Sequence, residues 1–301
     1  MEQDERMTRA YRVSGQALLE DLRERRPDDA RVLEGVRPAE VVAIRGSYDH
    51  CEQVLEATRV PFAVATPQEA ASIDWERLEV LLVSCPGHLP QVALDRIGPW
   101  VRSGGYLLTT DWALKHVVEP LFPNTIRHNG QQTSDCVVRV ESGAASDDPL
   151  LAGFLEAEHD PLWWLEGASY PIEVLDPTRV RVLVRSKEVE TGWGADPVVV
   201  TFEEGRGTVV HLLSHLYLQR SDVRGARDAR PAAEYFASTP LSAQAAAGFT
   251  AMAGDLRASE LGSAGSKSRL LANAIVAQKR RKQSRSCRFS WTATAALRAC
   301  S

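Results

Sequence analysis

Between Leu78 and Phe122 the chain runs through a pattern that few folds accommodate: apolar run, turn, helix, glycine stop, apolar run, turn, helix. Glu79-Val80-Leu81-Leu82-Val83-Ser84 has strand length and is stopped by Cys85-Pro86-Gly87-His88. From Gln91 to Ser103 the apolar residues Val92, Leu94, Ile97, Trp100 and Val101 recur at helical spacing. Gly104-Gly105 ends that helix, because the residue past a helix end often needs positive φ. Tyr106 to Thr110 is a second strand, and Asp111-Trp112 stands where it turns into a helix from Ala113 to Leu121. A strand, a crossover helix and a strand place the two strands parallel in one sheet.

The flanking sequence extends this unit. Val41 to Ile44 and Phe62 to Ala65 read as buried strands on either side of a helix from Cys51 to Thr58. Alternating strands and helices predict an α/β fold with a doubly wound, mainly parallel sheet flanked by helices. After Pro123 the texture changes to added antiparallel strands: Cys136 to Val140, Trp163 to Leu165, Ile172 to Leu175 and Val180 to Val184. A hairpin follows, with Pro197 to Phe202 and Thr208 to Leu213 around the turn Gly205-Arg206-Gly207. Residues 1–37 form an N-terminal helical extension with a helix over roughly 8–26, and Arg23 to Arg31 reads as a solvated face and loop. The main domain is expected over 38–278, with a flexible insertion at about 219–268, where Ala, Ser, Arg and Gly dominate. Its last helix is expected over Ser268 to Gln278, capped by Ser266 or Ser268. Lys279-Arg280-Arg281-Lys282 opens a basic tail, 279–301, that reads as disordered.

Charge and cysteine content narrow the functional classes. A net charge of −5 argues against a nucleic-acid or membrane-surface role. No apolar run reaches the roughly 18 residues of a spanning helix, and the acidic start Met1-Glu2-Gln3-Asp4-Glu5 lacks the apolar stretch of a secretory signal. Five scattered cysteines suggest reduced thiols and a cytoplasmic setting. Without a C-x-x-C pair no structural zinc site is expected. The G-x-G-x-x-G and G-K-S/T phrases are absent too, so no nucleotide cofactor is expected.

Several phrases together resemble the class I glutamine amidotransferase-like superfamily, bacterial ThuA-like branch. Residues 79–88 resemble its strand and oxyanion loop, and 100–111 the segment leading to its nucleophile turn. Asp148-Pro149-Leu150-Leu151-Ala152-Gly153-Phe154 is similar to a phrase of the ThuA-like branch. Gly205 to His215 resembles the strand ending at that branch's histidine, and Leu270 to Ile275 the helix that closes such domains. The resemblance covers about 41–218 and 268–278 and implies a flavodoxin-like, amidotransferase-like fold. At the position of the nucleophile cysteine this chain has Asp111, while the histidine position is kept as His215. The usual acid after that histidine is absent from Leu216-Tyr217-Leu218. The resemblance therefore implies a domain without the family's glutamine hydrolysis, a pseudoenzyme.

Asp111 and His215 are the candidate catalytic pair, as acid and base. Against this, Asp111 could be a plain helix N-cap and His215 a structural histidine. Cys85 and His88, three residues apart across Pro-Gly, could meet in a tight turn as thiolate and imidazole. Cys85, Gly87, His88, Tyr48 and Trp112 are the candidate ligand-binding residues on the rim. His211 and His215 are too far apart along a strand to share a metal, and none is expected. Three functions compete: a degenerate domain binding a small polar ligand or a protein, a ThuA-like enzyme acting on a sugar or related metabolite, and an assembly component. The last would engage partners through the N-terminal helix and Trp163-Trp164, with homo-oligomerisation left open.

Overall fold

A computed structural model describes residues 2–143, 147–154 and 162–298 of the chain. Five parallel strands form its centre: β1 (Val41–Ile44), β2 (Ala63–Ala65), β3 (Val80–Val83), β4 (Tyr106–Thr110) and β12 (Gly207–Leu212). Their spatial order is β2-β1-β3-β4-β12. Three antiparallel strands extend the sheet beyond β12: β11 (Pro197–Glu204), β10 (Arg181–Arg185) and β7 (Glu141–Ser142). β1, β3, β4 and β12 are buried along their whole length. That is why they read as continuous Val/Ile/Leu runs instead of alternating: helices cover both faces of a parallel sheet. This is the α/β, flavodoxin-like arrangement expected from the sequence.

Two side pairs stand off the main sheet. β5 (Ile126–His128) pairs with β9 (Ile172–Val174), and β6 (Cys136–Arg139) with β8 (Leu162–Leu165). β8 carries Trp163 and Trp164, whose side chains are buried in the core.

The helices differ from the sequence expectation at both ends of the chain. α1 (Glu2–Arg25) packs along α9 (Ala258–Arg298) and against α3 (Cys51–Ala57). Gly15 permits that close approach, since a Cβ there would lie 2.4 Å from the carbonyl oxygen of Ala57. The charged run after α1 is a second helix, α2 (Pro27–Glu34), opened by proline. Asp21 and Asp29 are buried and paired with Arg25, Arg269, Arg26 and Arg280 rather than solvated. Residues 219–268 carry α7 (Ala232–Ala237), α8 (Ala243–Ala253) and the first turns of α9, with Phe236, Leu256 and Leu261 buried. Ser266 and Ser268 therefore lie inside a helix instead of capping one. α9 also continues through the basic run expected as a disordered tail, whose last three residues lie outside the described part. Between β3 and β4 runs α4 (Gln91–Ser103), and the short α5 (Glu119–Leu121) precedes β5. α6 (Lys187–Trp193), which the sequence did not signal, follows β10. Asn273 of α9 donates to the carbonyls of Leu150 and Ala152, joining two of the phrases that carried the resemblance.

Candidate functional site

The carboxyl ends of the parallel strands bring four polar residues to one place. β1 runs into the loop holding Asp49, β3 into Cys85, β4 into Asp111, and β12, three residues on, into His215. This is the edge at which open α/β sheets bind ligands. Asp111 has φ +47°, a left-handed conformation that non-glycine residues seldom adopt and that asparagine and aspartate tolerate best. It marks a sharp bend between β4 and the following π-helical turn, Leu114–Val118. Gly87 must also be glycine: its φ is +75° and a Cβ would sit 2.8 Å from that of Ala113.

Asp111 does not cap the helix after it. One carboxylate oxygen accepts from the backbone N–H of Tyr170 at 3.0 Å and the other from the Ser169 hydroxyl at 3.2 Å. The latter oxygen also lies 3.4 Å from Nε2 of His215 and 3.7 Å from Sγ of Cys85. Nδ1 of His215 is 2.7 Å from a Glu166 carboxylate oxygen. Cys85, Asp111 and His215 are all buried, whereas Glu166 is partly open to solvent. The acid missing after His215 in sequence is thus supplied across space, from the end of β8.

Electrostatics set the protonation of this group. Burial alone pushes the His215 pKa down, but Asp111, Cys85 and Glu166 outweigh it and lift His215 well above its ordinary range. Burial also raises the Asp111 carboxyl, with His215 opposing. Cys85 is raised by burial, partly offset by His215, so it is no activated thiol here. Behind the cluster, Asp49 accepts from the Thr110 hydroxyl at 2.8 Å and from the N–H groups of Leu216 and Tyr217 at 3.0 Å each. Thr110 in turn accepts from the N–H of Cys85 at 3.0 Å, so loops from β1, β3, β4 and β12 share one hydrogen-bond chain.

The remaining sequence candidates sort differently. Cys85 and His88 do not form a pair: the thiol turns inward to Asp111, while exposed His88 meets His116, their Nε2 atoms 3.0 Å apart. Tyr48 and Trp112 do meet, edge to face at 5.4 Å, and Tyr170 stacks on Trp112 at 5.5 Å and on His128 at 4.0 Å. The Trp112 indole N–H donates to the carbonyl of Ala168 at 2.6 Å, which pins this aromatic row over Asp111. His211 is separate from the cluster; Nδ1 shares a hydrogen bond with Thr109 and burial drives its pKa down to about 3.

Sequence reasoning missed Glu166, Ser169 and Asp49 in their actual roles. Only the tertiary fold brings Glu166 to His215, Ser169 and Tyr170 to Asp111, and Asp49 to the backbone of residues 216 and 217. Lys267 gave no signal at all. It is fully buried, with Nζ 2.9 Å from the centre of the Trp163 ring and 3.3 Å from the Ser214 hydroxyl.

No family model and no curated protein matches the chain. Solved structures similar to it include a cytoplasmic protein from Salmonella typhimurium, at 14% identity and a TM-score of 0.43, over 72% of this chain and 99% of that one. A putative ThuA-like protein from Bacteroides uniformis is 13% identical over 59% of this chain and 82% of its own, with a TM-score of 0.41. A putative GMP synthase subunit from Thermoplasma acidophilum is 12% identical over 61% of this chain and 85% of its own, at a TM-score of 0.43. The chain spans about a quarter of the GH42 β-galactosidase Gan42B, 27% of its length at 14% identity and a TM-score of 0.41. Among the described residues no helix is long and apolar enough to cross a membrane.

Proposed function

We propose that this chain is an amidotransferase-like domain that has lost glutamine hydrolysis and binds a small polar ligand, or a polar segment of a protein partner, at the aromatic rim. One observation carries the reading. The side chain at the strained bend after β4 is a carboxylate whose oxygens are held by Tyr170, Ser169 and His215, so it is neither a thiolate nor free to attack. The rim above it supports binding, because Tyr48 is half exposed while its ring is braced by Trp112, which Tyr170 backs in turn. Aromatic faces beside the partly open Glu166 carboxylate suit a polar ligand with an apolar side. Ammonia release from glutamine, measured on the purified chain, is expected to stay at the buffer rate. Turnover that disappears in both Asp111→Ala and His215→Ala would sink the proposal.

The 3.4 Å separation of Asp111 and His215 favours a second reading, an enzyme of ThuA-like type that uses them as acid and base on a sugar or related metabolite. That distance is slightly longer than a direct hydrogen bond and would have to tighten on substrate binding, and a Glu166 oxygen lies 2.7 Å from the other imidazole nitrogen. Turnover of a sugar panel by the full chain, lost in Glu166→Gln as well as in His215→Gln, would select it over the first.

A further inference from the structure

We infer that Cys85, Asp111 and His215 form a binding site for one borderline-soft divalent cation of the zinc class. Each residue offers one ligand atom, and the three atoms lie within 4.8 Å of one another. Nε2 of His215 is 3.4 Å and Sγ of Cys85 3.7 Å from the same Asp111 oxygen. A tetrahedral ion with ordinary zinc bond lengths would hold nitrogen and oxygen about 3.3 Å apart, and sulfur and oxygen about 3.5 Å apart. Both measured edges lie within about 0.2 Å of those values.

The direction of the groups agrees with their spacing. Neither ring nitrogen of buried His215 makes a well-directed hydrogen bond, although Asp111 and Glu166 are both close. Ligand atoms around a central ion point at the ion, which the unaligned His215 nitrogens match; Sγ of Cys85, hydrogen-bonded to Asp111 here, would lose that proton on binding the ion. Glu166 beside Nδ1 supplies the carboxylate behind the imidazole that metal-bound histidines use to fix their tautomer and orientation. Asp49 adds a second buried negative charge behind the cluster. Thiolate, imidazole and carboxylate together suit zinc or cobalt, whereas magnesium and calcium demand oxygen ligands. Three protein ligands also leave one tetrahedral position for water or a bound molecule. The site is not the His211–His215 pair weighed from the sequence, because Thr109 occupies Nδ1 of His211. It does not rest on the loss of glutamine hydrolysis, which is read by a separate assay.

The test uses the full chain, stripped with a chelator and titrated with Co²⁺ in the visible and near ultraviolet. One equivalent should give the intense d–d bands of tetrahedral cobalt and a thiolate charge-transfer band, and Zn²⁺ should abolish both. The charge-transfer band should persist when Cys136, Cys287 and Cys300 are all serine, and vanish in Cys85→Ser. Asp111→Asn and His215→Gln should each weaken binding about tenfold or more, and Glu166→Gln about 10- to 100-fold with the spectrum retained. Absence of the band in the unaltered chain overturns the inference, as does its survival in Cys85→Ser with native circular dichroism. Should Cys85→Ser fail to fold, unchanged cobalt affinity in Glu166→Gln overturns it equally.

Discussion

The two edges of the parallel sheet handle charge in opposite ways. At the amino edge, acids ahead of the strands meet the basic run of α9. Lys279 bridges Glu40 at 2.8 Å and Glu79 at 3.2 Å, and Arg281 reaches Glu203 at 3.0 Å. Gln278 donates to the carbonyls of Glu79 and Gly104. At the carboxyl edge Asp49, Asp111 and Glu166 gather around His215, and the nearby buried amine of Lys267 has no carboxylate within salt-bridge distance among the described residues. The first edge is matched for stability. The second gathers three carboxylates, two of them buried, around one imidazole, and mutually perturbed groups at a sheet edge mark a candidate functional site.

The largest test of this contrast removes a charge from the matched edge. Burial alone would raise the Glu40 carboxyl, but hydrogen bonds from Lys279 and Arg37 outweigh it and hold it below its ordinary range. Lys279→Met leaves Glu40, whose side chain is 3% exposed, with Arg37 as its remaining partner, and should cost about 3 kcal/mol in urea unfolding, the low end for a broken buried pair. A loss below about 1 kcal/mol would mean that α9 is not clamped to the sheet.

His211 gives the next effect. It is neutral in the fold, with a pKa near 3, and titrates near 6.5 once unfolded. Between these values the unfolded chain binds one proton more than the folded one, so stability falls as pH falls. The expected loss is about 2.3 kcal/mol from pH 6.5 to 4.5, less than two full units of about 1.36 kcal/mol because the unfolded imidazole is only half protonated at the upper end. His211→Gln should flatten that limb of a stability–pH curve, and an unchanged slope would refute the assignment.

Legibility in the sequence followed the same division. The parallel core was readable because strands buried on both faces leave unbroken apolar runs, as at Val80–Val83, and because Gly104, at φ +124°, is a true helix stop. Asp111 and His215 were readable as the residues at strand ends. Lys279 to Lys282 were not: a basic run beyond a periodic segment looks like solvated tail until the acids at 40, 79 and 203 are brought beneath it. Residues 219–268 misled for a related reason. Small residues give weak periodicity, yet they let α7, α8 and α9 pack closely around Phe236, Leu256 and Leu261, with Tyr235 and Phe249 against them. Glu166 was invisible as a partner of His215 because 49 residues separate them, a distance no local pattern encodes.

At the carboxyl edge the backbone itself is under constraint, which two glycines can measure. Gly87→Ala places a Cβ against Ala113 at positive φ and should cost about 2 kcal/mol. Gly130→Ala shares the positive φ, at +89°, but meets nothing within 4 Å, so it should cost about 1 kcal/mol. Equal losses would show that close packing of the β3 loop on the elbow contributes nothing.

The smallest effect has the opposite sign. Lys267 sits on the Trp163 face with the Ser214 hydroxyl as its hydrogen-bond partner, and burial drives its pKa well below the ordinary lysine range, only partly countered by Asp49 and Glu166. Unfolding exposes the amine to water and lets it take up a proton below its unfolded pKa near 10.4. The group therefore costs stability at neutral pH, and the cost shrinks as pH rises toward that value. Lys267→Met keeps the length of the side chain and its contact with the ring while removing this burden. It should raise stability at pH 7 by about 1 kcal/mol, with the gain fading above pH 10. Such a gain would identify Lys267 as an amine that burial keeps from taking its proton, at a standing cost in stability. A loss of about 2 kcal/mol or more would instead make it a counter-charge to Asp49 and Glu166, and the two edges would be matched alike.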